Sequence, residues 1–435
     1  MADVLPFRGW RYDVAQVGEL SDVTCPPYDV IDAAFQDRLY QQHPCNVIRL
    51  ELNRDEPGDG GPDDRYRRAA GFLKRWQQEG VLLQEHEEAL YVYHQVFEAD
   101  GVKHTRKGFL GKIRLERFGE GQVYPHEQTM SGPKADRLLL IKATQTNLSP
   151  IFGLFPDADN AVQSPLERAT TGLPPLEATD HLGVVHRMWP VTNRHAIRQA
   201  TQLLRDKPIF IADGHHRYET AINYRDGLAA EGILAGPNGA ANFVMMMFVS
   251  MADPGLIIMP THRLVSHLAD LTATDVADAL RSHFRTEVVG SGVTAARETW
   301  HRIEADGGQG IFGLGTIADG TWTLADLTDD SPMATLAPDQ SDDWRSLGVS
   351  LLHKLILDHL LAQRYPSAKP TFQYVHTLDE VTAAQQSRAC QLACLVPPAG
   401  IDHVERIASH LEKMPPKSTY FYPKLQTGMV FNSVQ

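Results

Sequence analysis

The feature that most constrains this chain is one stretch near its middle, IFIADGHHRYETA, which spans Ile209 to Ala221. An apolar run ends in an Asp-Gly pair, and a polar, helix-compatible segment follows at once. This pattern predicts a buried strand that turns into a helix over Gly214. The N–H groups of a first helical turn have no partner inside the helix, and the positive end of the helix dipole points outward. His215, His216 and Arg217 add donors there that suit a phosphate or carboxylate.

A plainer interpretation of the same stretch is a helix start with Asp213 near its N-cap and histidines on the surface. Two histidines and an arginine crowd one turn, however, and would repel one another if all were protonated. A bound anion would relieve that repulsion. Neighbouring side chains seldom converge on one metal ion, and the HExxH spacing is absent. We therefore rank anion binding above a plain cap, and metal chelation below both.

Length and charge bound the kinds of protein that this chain can be. A chain of 435 residues is too long for one ordinary core, and the sequence predicts an N-terminal region and core over 1–265. A C-terminal α/β region over 266–435 is expected to pack on that core and is a candidate to close its cleft. The net charge of −13, from 54 acidic and 41 basic residues, argues against nucleic acid as a partner. A local basic pocket for a nucleotide remains compatible with it.

Cysteine usage and hydropathy favour a cytoplasmic protein. Four cysteines in a chain of this length do not form a disulfide framework. The first residues lack the basic and apolar regions of a signal peptide, and the longest apolar run, near 243–251, is too short to span a bilayer. We expect no membrane partner, and the oligomeric state stays open.

A second motif surrounds a predicted helix that starts near Lys134. Ser131 suits the cap of that helix, and the glycine and proline that follow suit its first turn. Capping does not explain His126 and Glu127 ahead of the turn, or the charged residues Lys134, Asp136 and Arg137 inside it. A carboxylate beside a phosphate-binding helix start is what a general base for phosphoryl transfer needs. Solvent exposure of the His-Glu pair is nearly as good an explanation.

Two further stretches are candidates for the lining of a cleft. The segment 46–52, NVIRLEL, alternates as a strand does, which would place Arg49 and Glu51 on one face. Tyr28 follows a Pro-Pro pair that imposes an extended backbone. Near the C-terminus, KSTYFYPK over 417–424 suggests a last strand that packs aromatic rings on the core or brings lysine and hydroxyl donors to the cleft.

Common signatures are missing from the sequence. It contains no GxxxxGK[ST] loop, no GxGxxG after a strand and no G-x-S-x-G elbow. Alternating predicted strands and helices, with no repeat and no low-complexity tract, indicate a mixed α/β (α+β) fold.

Several motifs taken together resemble the family catalogued as domain of unknown function 1015 (DUF1015). The resemblance runs in order from about Phe7 to near the C-terminus and is carried by CPPYDVI, HPCNVIRLEL, YPHEQTMSGPKADRLLLIKATQTNLSPIFGLF, ADGHHRYETA and MPPKSTYFYPKLQTG. The DGHHR box also resembles the phosphate-binding box of the ParB/sulfiredoxin superfamily, some members of which phosphorylate free L-serine. The resemblance implies a ParB/sulfiredoxin-like nucleotide-binding core with an additional mixed-sheet domain.

Site roles follow from that resemblance position by position. Phosphates would contact Gly214, His215, His216 and Arg217, and Asp213 would face the acceptor hydroxyl or a magnesium ion. The free serine kinases use a catalytic glutamate from their N-terminal part. Glu127 and Glu51 are its candidates here, and Glu127, with His126 beside it, is favoured because it precedes a second helix start.

The resemblance implies a kinase that uses ATP or ADP, with Mg²⁺ carried by the nucleotide, on a small hydroxyl-bearing metabolite such as L-serine. The remaining expected contacts fall into two groups. Those to the nucleotide are Ser131, Gly132, Lys134 and Arg137, and those to the acceptor are Tyr28, Asn46, Arg49 and Glu51. Arg137 is also a candidate to hold the acceptor's charged groups. Two alternatives stay open: a ParB-like nucleotide-binding switch, with or without DNA, and a metal-assisted hydrolase.

Overall fold

The structure is a computed structural model, and it describes residues 2–61, 63–99, 101–127 and 131–435, without the side chains of Ser131 and Pro133. Contacts divide the chain into two compact units. Unit 1 comprises Met1–Pro125, Thr129–Ile257 and Pro423–Gln435, and unit 2 comprises His126–Gln128 and Ile258–Tyr422. The sequence-based boundary near 265 assigned the last residues to the C-terminal region, whereas their contacts are those of unit 1. The expected packing of the C-terminal region on the core stays a prediction.

The strands of unit 1 are mostly short, apart from two long central ones. They are β1 (Val4–Leu5), β2 (Trp10–Tyr12), β3 (Leu82–Gln84), β4 (Leu90–Ala99), β5 (Val102–Arg114), β6 (Val123–Pro125), β7 (Thr146–Asn147), β8 (Ile151–Phe155), β9 (Leu176–Thr179), β10 (Val185–Val191), β11 (Ile209–Asp213), β12 (Phe243–Ser250) and, at the C-terminus, β21 (Asn432–Ser433).

The helices of unit 1 range from one turn to four turns. They are α1 (Val14–Val17), α2 (Leu20–Val23), α3 (Ala33–Gln42), α4 (Ile48–Glu51), α5 (Asp64–Gln78), α6 (Ser131–Thr144), α7 (Ser164–Thr170), α8 (Arg194–Leu204) and α9 (His215–Ala230), with 3₁₀ turns at Tyr28–Val30 and Ala240–Asn242.

One mixed sheet organises unit 1. Over the described residues its strand order is β6-β11-β8-β12-β5-β4-β10-β9, and β1 pairs with β5. The strand β11 runs parallel to β6 and antiparallel to β8, while β12 runs parallel to β8 and antiparallel to β5. A strand flanked on both sides in this way is fully paired, which explains its continuous apolar sequence. The mixed α/β class predicted from the sequence is confirmed.

The core of unit 1 lies between this sheet and helices α8 and α9. Ile209 and Ile211 of β11 belong to one buried cluster with Ile151 of β8, Met246 of β12 and Phe109 of β5, all of them at most 1% exposed. Tyr218, Ala221 and Ile222 supply the buried face of α9, and four residues of α8 cover the same cluster: Ala196, Ile197, Ala200 and Leu204. Packing of this density fixes where β11 ends and α9 begins.

The strand-to-helix junction predicted at Gly214 is confirmed. Gly214 has φ +90° and ψ 26°, a left-handed conformation that glycine adopts without the steric cost that a Cβ brings. The first hydrogen bond of the helix's own ladder runs from Tyr218 N–H to Gly214 O at 3.0 Å. Gly214 supplies no side-chain cap, so the ladder leaves the N–H groups of the first turn to other partners.

Unit 2 is built on a second sheet, beside a separate pair of strands. The strands of unit 2 are β13 (Ile257–Met259), which begins at the last residue of unit 1, β14 (His262–Ser266), β15 (Phe284–Ser291), β16 (Ile311–Thr316), β17 (Thr321–Leu327), β18 (Thr371–Val375), β19 (Leu392–Leu395) and β20 (Tyr420–Tyr422). The separate pair is formed by β13 and β20. The order β15-β17-β16-β19-β14-β18 makes six strands among the described residues, and each recorded pairing is antiparallel.

Helices cover the sheet of unit 2. They are α10 (Ala273–Leu280), α11 (Gly292–Asp306), α12 (Met333–Leu336), α13 (Asp342–Arg345), α14 (Gly348–Ser350), α15 (Ala362–Arg364), α16 (Leu378–Gln386) and α17 (Ile401–Ser409), with a π-helical segment at Leu351–Leu361 between α14 and α15. Within the described ranges, no helix of either unit has the length and apolar character needed to cross a bilayer.

The strand predicted over 46–52 is wrong. The segment forms the short helix α4, in which Glu51 is buried and Arg49 is only half-buried. Asn46 explains the difference, because its Oδ1 accepts a hydrogen bond from Ile48 N–H at 2.9 Å, as an Asx turn does before a helix. The apolar alternation over seven residues was too short to separate the two periodicities.

Gly214 gives the first testable prediction. In Gly214→Ala, the alanine would have to adopt a left-handed backbone conformation. Its Cβ would also lie 3.0 Å from Nε and Nη2 of Arg217. We expect the free energy of unfolding to fall by about 1–2 kcal/mol or more, measured by urea denaturation. Gly227→Ala in the interior of α9 is the matched control, because its Cβ would meet nothing within 4 Å.

The control has the opposite expected sign. An alanine in a helix interior is favoured over glycine by about 0.5–1 kcal/mol, so Gly227→Ala should raise stability. Equal effects of the two substitutions would contradict the assigned backbone conformation of Gly214.

Candidate functional site

A half-buried carboxylate lies at the centre of the junction. Asp213 accepts a hydrogen bond from Lys424 Nζ at 2.6 Å through Oδ1, and from Arg217 Nη2 at 2.7 Å through Oδ2. The side chains of these three residues are only 12–18% exposed. The register of β11 on β8 shifts between Ile211 and Asp213, which marks a β-bulge. Bulges next to functional sites re-aim a side chain, and this one lies directly before Asp213.

Two opposing effects act on the ionisation of Asp213. Burial by itself raises the pKa of the carboxyl group, because the charged form is poorly solvated. The charges of Lys424 and Arg217 outweigh burial and hold the pKa of Asp213 well below its usual range. His215 adds a smaller contribution in the same direction. The carboxylate is therefore ionised, and two cations face one anion.

The position of Lys424 is set by a buried polar pair in the sheet. Arg106 on β5 is 0% exposed, donates to Gln95 Oε1 and to the carbonyl of Pro423, and packs over the Phe152 ring. Gln95 on β4 in turn donates to the carbonyl of Lys424 at 2.9 Å. Burial lowers the pKa of Arg106 to about 10, which still leaves it charged at neutral pH. The side chains of Arg106 and Gln95 thus hold the backbone of residues 423–424 in place.

The N-terminal halves of α6 and α9 lie against each other. Lys134, in the first turn of α6, donates to Glu219 Oε2 at 2.8 Å, in the second turn of α9. The starts of two helices therefore lie at neighbouring positions in unit 1, and their assignment to a phosphate site stays a prediction. Gly132 lies exposed at the start of α6, and a Cβ there would meet nothing within 4 Å. The side chain of Ser131 lies outside the described residues.

A second ion cluster borders Arg217 in the same unit. Arg137 Nη1 donates to the carbonyl of Glu51 at 2.8 Å and lies 3.4 Å from Glu51 Oε1, and its Nε donates to Asp136 Oδ2 at 2.7 Å. The guanidinium carbon lies 4.3 Å from the centre of the Tyr28 ring. Burial raises the pKa of Tyr28 to about 12, although the charge of Arg217 acts to lower it.

A small cavity connects these two clusters. It has a volume of about 50 Å³, and Glu51, Arg137, Arg217 and Thr220 are among its lining residues. Glu51 Oε1 and Thr220 Oγ1 are buried and accept or donate no hydrogen bond within the described part of the chain. By the usual measure of about 10–15 Å³ per water, the cavity has room for a few waters or one small anionic group. A whole nucleotide would need several times that space.

The remaining predicted phosphate and acceptor residues differ in how far their polar groups are already used. His215 is 5% exposed and His216 is half-buried, so the two histidines do not share one environment. Asn46 is fully buried, and its amide donates to the carbonyls of Asp22 and Thr24. Arg49 donates to the carbonyls of Tyr40 and His43. Asn46 and Arg49 therefore hold the backbone of unit 1 together, and their assignment to the acceptor stays a prediction.

His126 and Glu127 belong to unit 2. His126 is fully buried, and its Nε2 lies 2.8 Å from Thr419 Oγ1. Glu127 Oε1 accepts a hydrogen bond from the N–H of Lys417, and the chain pairs here with Met414. These contacts bind the PPKST segment of unit 2, and the catalytic role predicted for His126 and Glu127 stays a prediction.

Two residues of the site were absent from the sequence-based set. Lys424 belongs to the KSTYFYPK motif, but no local pattern linked it to Asp213, which lies more than two hundred positions earlier in the sequence. Arg106 carried one available signal, since it is a charged residue within a long strand, and buried charges require partners. Among the described residues, no group of three or more His, Cys, Asp or Glu side chains is arranged to hold a metal ion.

A family model matches most of the chain. Its description is "Protein of unknown function (DUF1015)", and the match covers residues 4–350. The family predicted from the sequence motifs is therefore confirmed. A search of curated proteins found no match to this sequence.

Solved structures resemble the chain at low identity. A conserved hypothetical protein from Pyrococcus furiosus is 12% identical, with 70% of this chain and 89% of that chain covered and a TM-score of 0.33. A free serine kinase in complex with AMP is 11% identical, with 71% and 89% covered and a TM-score of 0.32. SbnI with a C-terminal truncation, from Staphylococcus aureus, is 10% identical, with 74% and 87% covered and a TM-score of 0.32. Scores of this size carry no conclusion about function.

The second prediction tests the ion triad. Lys424→Met removes one cation from Asp213 and so raises the pKa of that carboxyl group. In the unfolded chain the pKa is near 3.9, so a lower folded pKa stabilises the protein above about pH 4, and this stabilisation is lost as pH falls. We expect Lys424→Met to lower the free energy of unfolding at pH 7 by about 1–3 kcal/mol, the range for hydrogen bonds to charged groups. Urea denaturation measures it.

A double-mutant cycle provides the control. With Asp213→Asn in place, Lys424→Met should cost less than it does alone, because the ion pair is already gone. The difference between wild type and Lys424→Met should also narrow as pH falls below the Asp213 pKa of the variant. A cost that is the same in both backgrounds and at every pH would exclude this ion pair as its source.

Proposed function

Because this chain belongs to the DUF1015 family and its DGHHR box forms a strand–glycine–helix corner with an excess of cations, we propose that it is a nucleotide-dependent kinase of a small hydroxyl-bearing metabolite. ATP or ADP is the proposed donor, and L-serine is the first acceptor to test. The proposal rests on one observation above all: Arg217 and Lys424 both face the single carboxylate of Asp213 at the start of α9.

Charge balance at the corner supports an anionic ligand. The pair of Lys134 and Glu219 is neutral, whereas Asp213, Arg217 and Lys424 together carry one net positive charge. The helix dipole of α9 adds a partial positive charge at the same end. A phosphate at this corner would meet the first-turn N–H groups, Arg217 and Lys424, which are the partners that a phosphoryl group prefers.

The chemical step is the transfer of the terminal phosphoryl group of the nucleotide. The bond from phosphorus to the bridging oxygen breaks, a bond to the acceptor hydroxyl oxygen forms, and the hydroxyl proton leaves to a carboxylate. In this proposal Arg217 and Lys134 neutralise charge that develops on the transferred group. Both oxygens of Asp213 already accept hydrogen bonds from cations, so it is poorly suited to hold Mg²⁺. Magnesium would arrive with the nucleotide's own phosphates, and no step is assigned to it.

Glu51 is the proton acceptor that unit 1 offers. Its Oε1 accepts no hydrogen bond among the described residues and borders the same cavity as Arg217. Arg137, which shares that cavity, is the residue proposed to fix the acceptor's carboxylate. Glu127 was favoured for the base on sequence grounds and is retained as the rival.

The third prediction is the activity itself. Purified protein incubated with ATP or ADP, Mg²⁺ and L-serine should form O-phosphoserine, detected by ³¹P NMR or mass spectrometry. Arg217→Lys should lower kcat by about 10²–10³, the usual effect of losing one transition-state donor. Arg187→Lys is the control, because Arg187 forms only an exposed ion pair with Glu177 and such pairs contribute little. No phosphoester with either nucleotide across a panel of hydroxy amino acids would refute the kinase proposal.

The fourth prediction separates the two candidate bases. Glu51→Gln keeps the size of a buried side chain and removes its ability to accept a proton. We expect kcat to fall by about 10²–10⁴ with little change in KM, as for loss of a general base. Glu127→Gln, prepared in parallel, should retain most of kcat. The reverse result would transfer the role to Glu127 and leave the kinase proposal standing.

A further inference from the structure

Unit 2 contains a large pocket that the proposed kinase site does not use. Its volume is about 550 Å³, within the range of roughly 300–1,000 Å³ that small-molecule sites occupy. The pocket is lined by residues from α13, the π-helical segment, β18 and the PPK stretch near 415, all of them in unit 2. The MPPKSTYFYPK motif of the sequence analysis therefore contributes to a second concave surface.

The walls of this pocket are suited to a flat ring. Three aromatic side chains and three prolines line it: Trp344, Phe372, Tyr374, Pro338, Pro415 and Pro416. Trp344 is 6% exposed and is held in place by a hydrogen bond from its Nε1 to the carbonyl of Lys413 at 3.0 Å. Aromatic faces and proline rings offer broad apolar contact to a planar ligand without restricting its substituents.

One buried polar group in the lining has no partner. Ser350 is 0% exposed, and its Oγ makes no hydrogen bond within the described parts of the protein. Buried hydroxyl groups are nearly always hydrogen-bonded, since desolvation without a partner is costly. A hydroxyl that borders a pocket of this size gains its missing partner when a ligand fills the pocket.

A neighbouring histidine adds a second donor. Nε2 of His353 accepts a hydrogen bond from Nε of Arg263 at 3.2 Å, and an arginine can only donate. Burial, and next the charge of Arg263, lower the pKa of His353 to about 3, so the ring is neutral and its proton lies on Nδ1. The fully buried Arg263, held by the carbonyls of Thr261 and Lys417, thus fixes the tautomer of a ring that lines the pocket.

The local backbone is unusual at the same place. Ser350 directly precedes the π-helical segment Leu351–Leu361, which carries His353, Lys354 and Asp358. Extended π-helix is rare, and where π-helical turns occur they are frequent at functional sites. Lys354 and Lys413 also line the pocket together with Asp339 and Asp358, and the carboxylate of Asp358 lies 3.8 Å from Nζ of Lys354. Charged groups of both signs therefore border the pocket, and the buried Ser350 hydroxyl and the His353 ring supply neutral donors to it.

We propose that this pocket of unit 2 binds a small planar aromatic molecule that carries an anionic group, with the ring against Trp344, Phe372 and Tyr374. The Ser350 hydroxyl and His353 Nδ1–H then donate hydrogen bonds to an acceptor on the ring or on the anionic group. Lys354 and Lys413 neutralise the negative charge of that group. A nucleoside monophosphate and an aromatic carboxylate share this chemistry. The site lies entirely in unit 2 and does not depend on the proposed kinase activity.

The test is calorimetric titration of the full-length protein with AMP, adenosine and 4-hydroxyphenylacetate, together with tryptophan fluorescence. At least one of the two anions should bind saturably and change the emission, and Trp344→Phe should abolish that change. Ser350→Ala should weaken this binding by roughly three- to tenfold, the effect of one neutral hydrogen bond. Phe372→Ala should weaken it by about tenfold through loss of ring contact.

Controls separate this site from folding defects and from the corner in unit 1. The Ser350 hydroxyl forms no hydrogen bond with the residues that the structure describes, so Ser350→Ala should leave the melting temperature unchanged. Ser387→Ala removes an exposed hydroxyl that bonds helix carbonyls elsewhere in unit 2, and it should not affect binding. Arg217→Lys should not affect binding at this pocket either.

The probes distinguish the ligand sources. Binding of AMP with Ser350 sensitivity, and weaker binding of adenosine, assigns the pocket to nucleoside phosphates. Ser350-sensitive binding of 4-hydroxyphenylacetate alone assigns it to aromatic carboxylates. Absence of binding by both anions would overturn the proposal, as would affinities that Arg217→Lys weakens and that Ser350→Ala and Phe372→Ala leave unchanged.

Discussion

Unit 1 depends on one interaction: the half-buried carboxylate of Asp213 binds both Arg217 and Lys424. A charge in a poorly solvated position is tolerated only when opposite charges and hydrogen bonds compensate it. Here the compensation comes from two places, the first turn of α9 and a segment close to the C-terminus. Two remote parts of the sequence, the junction of β11 with α9 and the segment at Lys424, therefore meet at one point, in agreement with the assignment of Pro423–Gln435 to unit 1.

Two buried side chains hold the backbone that carries Lys424 in place. Arg106 and Gln95 hold the carbonyls of Pro423 and Lys424, and Arg106 is itself fully buried. Burying such a group is costly, and its fork of donors compensates that cost by fixing the backbone at Pro423 and the side chain of Gln95. The ammonium of Lys424 is then presented to Asp213 by a strand-borne scaffold. Preorganisation of this kind lets a site bind an anion without first ordering its own cations.

Local patterns predicted the local parts of this arrangement. An apolar run, an Asp-Gly pair and a polar helix start were enough to place β11, Gly214 and α9, because each follows from neighbouring residues. The position of Lys424 could not be predicted in the same way, since its partner Asp213 lies more than two hundred positions earlier in the sequence. Asn46 shows the opposite failure: the alternation of NVIRLEL favoured a strand, but the Asx turn at Asn46 and the burial of Ile48 and Leu50 made it a helix. Short apolar segments take their structure from what they pack against.

Charge arithmetic at the corner also bears on what kind of protein this is. Asp213, Arg217 and Lys424 combine two positive charges with one negative charge in their recorded ion pairs, beside the positive end of the α9 dipole, whereas Lys134 and Glu219 form a balanced pair. In a chain whose net charge is −13, a local excess of positive charge opposes the general trend. An incoming anion would relieve the repulsion between Arg217 and Lys424 that Asp213 only halves. In the proposed function, the positive charge at the start of α9 would favour a phosphorylated ligand over a neutral one.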